Sequence, residues 1–255
     1  MTLDCKSPKF IGNSNFSSPL KFLIMSVLSR VIQSQEFLQV FLNQIRGPVA
    51  FNHEANDKKL RSLLNNKYDG LYDDIEQRCL PEMRQKVRYS RNLKDLSDVH
   101  LIALHAYTLD SQDLNGKDPI YRLMNSDLRK GRFHEWNPLL SSISDAFRKC
   151  IPYTGHDIYA GLRCSLPNLE NKLPLTTFLR DFRSCSSKRS IASQFGDVVL
   201  KFTDTKAIHL SSISRYKGED EWLIAPSAVD QCCYEITNVT QRNGKPTLVL
   251  KQQPV

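Results

Sequence analysis

Three acidic residues stand together in the stretch SRYKGEDEWLIAP, residues 214–226, where a turn passes into an apolar run. They are Glu219, Asp220 and Glu221. Side chains two positions apart on an extended segment point to the same side, so Glu219 and Glu221 would share one site while Asp220 faces elsewhere. A carboxylate at such a site can stabilise positive charge that develops on a substrate during a reaction. For the triplet alone, a solvated acidic loop is the competing interpretation.

Two stretches upstream place further polar residues on segments that are typical of strands. They are DIYAGLRCS, from residue 157, and LRDFRSCSSKRSIASQFG, from residue 179. Together with the acidic stretch, and in the same order, they resemble three motifs of the arginine-type mono-ADP-ribosyltransferases, the family of the vertebrate ecto-enzymes and several bacterial toxins and effectors. These motifs are an aromatic-Arg strand, a Phe-x-Ser-x-Ser strand, and a Glu-x-Glu pair followed by an apolar run and Pro. The segments HLIALHAYT and IYRLMNSDLRKG resemble the family's helical half, so the resemblance spans about residues 93–237.

The resemblance implies an enzyme that uses NAD as a substrate and attaches ADP-ribose to a protein side chain, without a metal. Breaking the bond between nicotinamide and ribose develops positive charge on the sugar, which a neighbouring carboxylate stabilises. By the resemblance, Glu221 holds the nicotinamide ribose and stabilises the cation-like sugar, while Glu219 orients the acceptor and receives its proton. Ser184 matches the first serine of Phe-x-Ser-x-Ser and would position Glu221 by a hydrogen bond. An arginine acceptor suits Glu219, because a guanidinium pairs well with a carboxylate yet needs help to lose a proton.

The resemblance also implies which residues contact NAD. The set is Tyr159, Gly161, Arg163, Ser184, Ser186 and Phe195. For Phe195, a place in the hydrophobic core is favoured over a role as a stacking platform for nicotinamide, and Phe182 is assigned to the core as well.

One motif departs from the family pattern. Where the family usually has Tyr-Arg-Gly, with the arginine on the phosphates of the dinucleotide, this chain has Tyr159-Ala160-Gly161. The next arginine, Arg163, lies an odd number of positions from residue 160, so it faces the other side of a regular strand unless a bulge shifts the register. Arg163 is still the first candidate for the phosphate contact, and Arg183 and Arg189 are the alternatives.

Charge narrows the function classes only partly. The 255 residues have a formal net charge of +8 and a pI near 9.1, which suits an anionic ligand, nucleic acid or an acidic partner. Lys and Arg are spread along the chain without a recognisable binding motif, so nucleic-acid binding is not predicted.

No apolar run reaches the roughly 18 residues of a membrane helix, so no membrane span is predicted. The chain is expected to be a monomer.

Cysteine and histidine spacings give no metal site. The seven cysteines form no CxxC pair and no zinc spacing, which predicts free thiols and a reducing compartment. His100 and His105 are five positions apart, so they do not share a helix face as ligands at i and i+4 would. Both histidines are assigned to the core or its boundary.

The order of the predicted elements is helices first and strands afterwards, which favours an α+β fold with the helical half packed on two small sheets around an NAD cleft. Residues 1–19 predict a flexible leader, residues 20–92 a helical extension and residues 93–255 the catalytic domain. Folds built on Gly-rich phosphate loops are not predicted, since no such loop is present. Helices are expected at Phe22–Ile45, within Asn56–Met83 around the turn Tyr68-Asp69-Gly70, after a cap at Ser97 or Asp98, between Pro119 and Gly131, and at Ser141–Cys150.

The resulting prediction is a mono-ADP-ribosyltransferase that modifies an arginine, or a threonine such as one on ubiquitin, in a host protein. A bacterial effector that is secreted and acts in the host cytosol fits the polar leader, the free thiols and the toxin-like motifs. The alternative is a catalytically silent module that keeps the fold and binds NAD or a protein partner.

Overall fold

The computed structural model describes residues 52–150, 155–163, 173–242 and 244–254. The predicted leader and the predicted helix from Phe22 to Ile45 lie outside these residues. Within the described residues, helices come first and strands afterwards, which confirms the α+β fold class. None of the helices in these ranges combines the length and the apolar character that crossing a bilayer requires.

Helices occupy the described chain from residue 53 to residue 149. They are α1 (His53–Lys67), α2 (Leu71–Asp74), a π-helical segment (Ile75–Cys79), α3 (Leu80–Val87), α4 (Asp98–Tyr107), α5 (Ile120–Arg129), a 3-10 turn (His134–Trp136) and α6 (Asn137–Lys149). Helices form in each predicted region of the described chain, but the run predicted at Asn56–Met83 extends from His53 to Val87, and α6 begins four positions before Ser141.

Local sequence signals set the ends of these helices. Gly70 has a φ of 86°, in the left-handed region that glycine adopts readily, and the turn there separates α1 from α2. Ser97 and His100 form a capping box at the start of α4, in which the Ser97 side chain accepts from the backbone N–H of His100 and the Ser97 N–H donates to Nδ1 of His100 at 3.1 Å. Pro119 stands just before α5, where a missing N–H costs nothing.

Strands follow in the second half of the chain, with two short helices between them. The strands are β1 (Ile158–Leu162), β2 (Leu175–Thr177), β3 (Arg183–Ser186), β4 (Val198–Thr203), β5 (Ile208–His209), β6 (Glu221–Ile224), β7 (Cys232–Arg242) and β8 (Lys245–Pro254). The helices are α7 (Arg189–Ala192) and α8 (Ser227–Asp230). The sequence did not predict β2, α7 or α8, which are only three or four residues long.

The strands join in one hydrogen-bonded sheet with the order β2-β7-β8-β4-β1-β3-β6-β5. This corrects the expectation of two separate sheets. The junction is narrow, however, because the register between β1 and β3 consists of the pair Tyr159 and Ser186. Five strands therefore lie on one side of this pair and three on the other. All neighbours are antiparallel apart from the parallel pair β4 and β8, so no crossover-type parallel sheet is present in the described chain.

Two clusters of buried side chains hold the helices and the strands together. One joins the helical half to the short strands, and it includes Leu60 of α1, Ile102 of α4 and Leu223 of β6. The other lies on the remaining strands around Phe202 and Tyr234. The first cluster matters for function, because it fixes β6 against the helices that face it.

The two histidines of α4 are structural, as predicted. His100 is fully buried, its Nε2 bonds Oδ2 of Asp145 at 3.0 Å, and burial lowers the pKa of His100 to about 4. His105 bonds the carbonyl oxygen of Ile213 through Nδ1 at 2.6 Å. This second contact ties α4 to the segment that leads into the acidic stretch.

Candidate active site

A cleft opens where β1, β3 and β6 meet the helical half. Nearly all of the residues that the sequence assigns to the site line it, and they come from separate elements of the chain. These are Tyr159, Gly161, Ser184, Ser186, Phe195, Glu219 and Glu221. The exception among the assigned residues is Arg163, which is exposed and lies beyond the end of β1.

Glu221 is the most buried carboxylate of the cleft and the first residue of β6, with 7% of its surface exposed. Ser184 donates a hydrogen bond from Oγ to Oε1 of Glu221 at 3.1 Å, as the sequence predicts. Ser214 donates to the other oxygen, Oε2, at 2.6 Å. Burial raises the pKa of Glu221, while the hydrogen bonds from Ser214 and Ser184 act in the opposite direction. The carboxylate is thus buried and oriented at both oxygens.

Ser214 is a partner of Glu221 that the sequence did not predict. It stands seven positions before Glu221, outside the motifs, and its contact depends on how the intervening turn folds back. Its place at the head of the stretch SRYKGEDEWLIAP was the one available signal, and nothing in the residue type marks it as a partner of the glutamate.

The side chain of Glu219 lines the same cleft, but its backbone does not have the predicted extended conformation. It ends a 3-10 turn, Lys217–Glu219, and Asp220 follows with a φ of 48°, so the segment is not extended. The alternation argument for Glu219 and Glu221 is therefore wrong, although both side chains do line the cleft. Ser186 holds the turn in place by donating from Oγ to the backbone carbonyl oxygen of Glu219 at 2.5 Å.

Asp220 points away from the cleft and into its own network. Its carboxylate accepts from Nε2 of His209 at 2.7 Å and from Oγ of Ser211 at 3.3 Å, and it also accepts from Ser187. Burial acts to raise the pKa of Asp220, but these hydrogen bonds lower it overall. This side chain therefore anchors the left-handed turn between the two glutamates.

The glycines of the cleft permit a close approach of two backbones. A Cβ atom on Gly161 would lie 2.4 Å from the carbonyl oxygen of Ala192, and one on Gly196 would lie 2.4 Å from the backbone nitrogen of Leu162. Strand β1 therefore packs directly on the segment around α7. Phe195, beside Gly196, is 51% exposed and lines the cleft, so its assignment to the core is wrong, whereas Phe182 is buried as predicted.

The position of the missing motif arginine carries no charge. Ala160 is 2% exposed and belongs to the buried cluster on the larger group of strands. Of the three arginines considered from the sequence, Arg183 lines the cleft. Arg163 is exposed outside the cleft lining, and Arg189 donates from Nη2 to Oγ1 of Thr247 at 3.0 Å.

Arg183 is part of an ion-pair network at the edge of the cleft. Its Nη2 lies 3.1 Å from Oδ1 of Asp181, while Arg129 binds the other oxygen of the same carboxylate. The side chain of Arg183 is 24% exposed, and its buried Nε has no hydrogen-bond partner among the described residues. A buried N–H group without an acceptor destabilises the folded protein unless a ligand accepts its hydrogen bond. The predicted phosphate contact therefore moves from Arg163 to Arg183.

This reassignment predicts that Arg183→Ala raises the KM for NAD about tenfold or more, because charge-assisted hydrogen bonds contribute roughly 1.5 to 3 kcal/mol. The measurement is the rate of nicotinamide release at increasing NAD concentration. Arg163→Ala is the matched control and should leave the KM for NAD within about twofold. The reverse pattern, with the larger effect at Arg163, would return the phosphate contact to Arg163.

Metal-ligating atoms come together away from the cleft, at His53, His100 and Asp145. Lys149 already supplies a cation to this cluster, with Nζ 3.1 Å from Oδ2 of Asp145 and 2.9 Å from Nε2 of His53. We assign the cluster to the joint between α1, α4 and α6.

Comparison with known proteins agrees with this geometry. A family model described as NAD:arginine ADP-ribosyltransferase matches residues 53–254. The match includes residues 53–92, which the sequence alone assigned to an extension. Comparison with curated protein sequences gave no match.

Solved structures with a similar fold come from bacteria and eukaryotes. The ADP-ribosyltransferase HopU1 of Pseudomonas syringae pv. Tomato is 15% identical over 80% of this chain and 99% of its own, with a TM-score of 0.59. The type III effector XopAI of Xanthomonas axonopodis pv. citri is 16% identical over 88% and 97%, with a TM-score of 0.58. The eukaryotic mono-ADP-ribosyltransferase ART2.2, solved in a complex with NADH, is 14% identical over 84% and 87%, with a TM-score of 0.57. These likenesses confirm the fold.

Proposed function

The chain belongs to the NAD:arginine ADP-ribosyltransferase family, whose members use NAD as a substrate, and from this premise we propose that it attaches ADP-ribose to arginine side chains of a host protein. The observation that carries the choice of acceptor is Glu219, a carboxylate at the same cleft as Glu221 that forms no ion pair with any described residue. A guanidinium is the acceptor group that such a carboxylate binds best.

The reaction exchanges one bond for another at the ribose carbon that carries nicotinamide. The bond to nicotinamide breaks, its electron pair leaves with nicotinamide, and the sugar becomes cation-like. Glu221 lies in a largely buried setting and is held at both oxygens by Ser184 and Ser214, so its charge acts on the sugar with little loss to solvent. The cost of ionising a buried carboxylate is recovered as positive charge develops beside it, which favours the transition state over the ground state.

Glu219 completes the transfer at the acceptor. A guanidinium nitrogen forms the new bond to the ribose carbon and must give up a proton, which Glu219 accepts. Burial, followed by the charge of Asp110, raises the pKa of Glu219, and this makes its carboxylate a stronger proton acceptor. A neutral threonine hydroxyl would bind the negative charge of Glu219 less strongly than a guanidinium does. We therefore propose threonine, including one on ubiquitin, as the second candidate acceptor.

We further propose that the chain is a bacterial effector that acts in the cytosol of a host cell. XopAI, one of the proteins with a similar fold, is described as a type III effector. The cysteines of the described residues are free thiols, namely Cys79, Cys150, Cys185, Cys232 and Cys233, which is the state that the cytosol maintains. Both observations support this location without depending on a particular target.

The test of the proposed function is incubation of the protein with labelled NAD and a eukaryotic lysate, and separately with agmatine, histone and ubiquitin. Modified residues are mapped by mass spectrometry. Label on arginine, and on agmatine, is the expected result. Label on threonine would favour the second acceptor, and binding of NAD without nicotinamide release would favour the silent module.

A further inference from the structure

The loop that follows α4 forms one wall of the acceptor end of the cleft. Thr108 and Asp110 of this loop line the cleft together with Tyr216 and Glu219. The two segments are more than 100 positions apart in the chain, and no motif in the sequence marks Asp110. The fold is what brings this second carboxylate towards Glu219.

Asp113 joins the two walls. Its Oδ2 accepts from the hydroxyl of Tyr216 at 3.0 Å and from the backbone N–H of Asp110 at 3.2 Å, and its Oδ1 accepts from Nε of Arg215 at 3.1 Å. The backbone N–H of Arg215 also donates to Oγ1 of Thr108 at 3.4 Å. One side chain thus fixes the loop of Asp110 relative to the turn of Glu219.

Asp110 itself is held in one orientation. Its Oδ1 accepts from the backbone N–H of Ser111 at 2.8 Å, and after burial its charge is the next cause that raises the pKa of Tyr121 on the same wall. The charge of Asp110 raises the pKa of Glu219, so the two carboxylates are electrostatic neighbours.

In the part of the chain that the structure describes, the acceptor end of the cleft carries unpaired acidic side chains, although the chain as a whole is basic. Lys and Arg exceed Asp and Glu by 35 to 27, and most acidic residues near the surface form ion pairs within the described chain. Neither Asp110 nor Glu219 has a cationic partner among the described residues, although both line a concave surface. Two adjacent carboxylates repel each other, so a bound cation would stabilise this arrangement.

We propose that Asp110 is a specificity-determining residue of the acceptor site, where it and Glu219 together bind the guanidinium of the incoming arginine, with Asp113 as the positioning residue. This inference rests on the proposed arginine acceptor. A guanidinium has five N–H donors in a fixed plane, so it can satisfy one carboxylate and still donate to a second. Tyr216 and Tyr121 add aromatic surface to the same wall, on which a guanidinium plane can stack.

Glu219 and Asp110 have different roles because they lie on different sides of the cleft. Glu219 lies at the cleft of Glu221 and takes the proton, whereas Asp110 sits on the opposing loop and supplies the second carboxylate to the guanidinium. Asp110 therefore attracts the cationic acceptor and also strengthens Glu219 as a base. A neutral acceptor such as threonine would gain nothing from Asp110.

The experiment compares Asp110→Asn with the wild type and with Asp118→Asn, an exposed aspartate of the next turn that pairs with Arg122. The probe is agmatine, a small guanidine, at varied concentration and saturating NAD. We expect Asp110→Asn to raise the KM for agmatine about tenfold or more, since the substitution removes a charge-assisted contact with the guanidinium. The KM for NAD in the same variant should change much less, and Asp118→Asn should match the wild type.

The experiment distinguishes a failure of the role of Asp110 from a failure of the proposed arginine acceptor. If the wild type modifies agmatine and Asp110→Asn does so with an unchanged KM, the role of Asp110 is overturned while the arginine acceptor stands. If the wild type releases nicotinamide but modifies no guanidine or arginine, the proposed acceptor fails and this inference falls with it. Asp110→Glu is the second variant, and partial recovery of the KM for agmatine would exclude a purely structural effect of the substitution.

Discussion

Glu221→Gln is expected to abolish both the transfer of ADP-ribose to protein and the hydrolysis of NAD by water. The substitution keeps the size of the side chain and its ability to bond Ser184 and Ser214, but it removes the charge. Both reactions pass through the same cation-like sugar, so both lose the same stabilisation. Removing a single preorganised group of this kind costs about 10²–10³-fold in rate, and a full charge in a buried site should lie at or above that range.

Nicotinamide release, measured with and without agmatine, tests this expectation directly. Glu235→Gln on β7 is the matched control, because it makes the same change at a glutamate outside the cleft lining. Thermal unfolding of both variants should resemble that of the wild type. A Glu221→Gln variant that is folded and fully active would remove the assignment of Glu221 as the carboxylate at the sugar.

The contact between Ser184 and Glu221 could be predicted because the family resemblance assigns both residues by their places in two motifs. Ser184 on β3 pairs with Leu223, two positions from Glu221 on β6, so the pairing of these strands alone brings the serine near the glutamate. Strand propensity indicated both segments. The hydrogen bond between them then follows from the register.

The contacts of the acidic triplet could not be predicted in the same way. Asp220 adopts a left-handed conformation with a φ of 48°, which is uncommon for residues other than glycine, although aspartate tolerates it. This turn returns the chain to the cleft and brings Ser214 to Glu221. Sequence patterns assume a regular period of two along a strand, and here the period is broken by one residue.

Contacts between residues that are far apart in the chain could not be predicted from the sequence either. Arg163 was closest along the chain to the missing motif arginine, yet Arg183, on another strand, is the arginine that lines the cleft. The same holds for Asp110, whose position depends on Asp113 bridging two distant loops. Local patterns report which segments form helices and strands, while these contacts depend on how the elements pack.

Glu219→Gln is expected to separate the two reactions that Glu221→Gln removes together. Water can attack the sugar without help from Glu219, but a guanidinium must be oriented and must lose a proton. Loss of a positioned base costs about 10²–10⁴-fold, so transfer to agmatine or protein should fall by at least about 10²-fold. Hydrolysis of NAD should fall by less than about tenfold, because the contacts of Ser184 and Ser214 with Glu221 do not involve the Glu219 side chain.

The measurement is the ratio of ADP-ribosylated acceptor to free ADP-ribose, the product of hydrolysis, which removes any common loss from reduced folding or weaker NAD binding. For Glu219→Gln this ratio should drop by about tenfold or more, the excess of the base effect over the loss of hydrolysis, while Glu235→Gln should keep the wild-type value. Glu219→Asp, which shortens the carboxylate by one methylene, should recover part of the transfer if charge and basicity are the property required. An equal loss of transfer and hydrolysis in Glu219→Gln would contradict the assignment, because it would place Glu219 at the sugar, with Glu221, instead of at the acceptor.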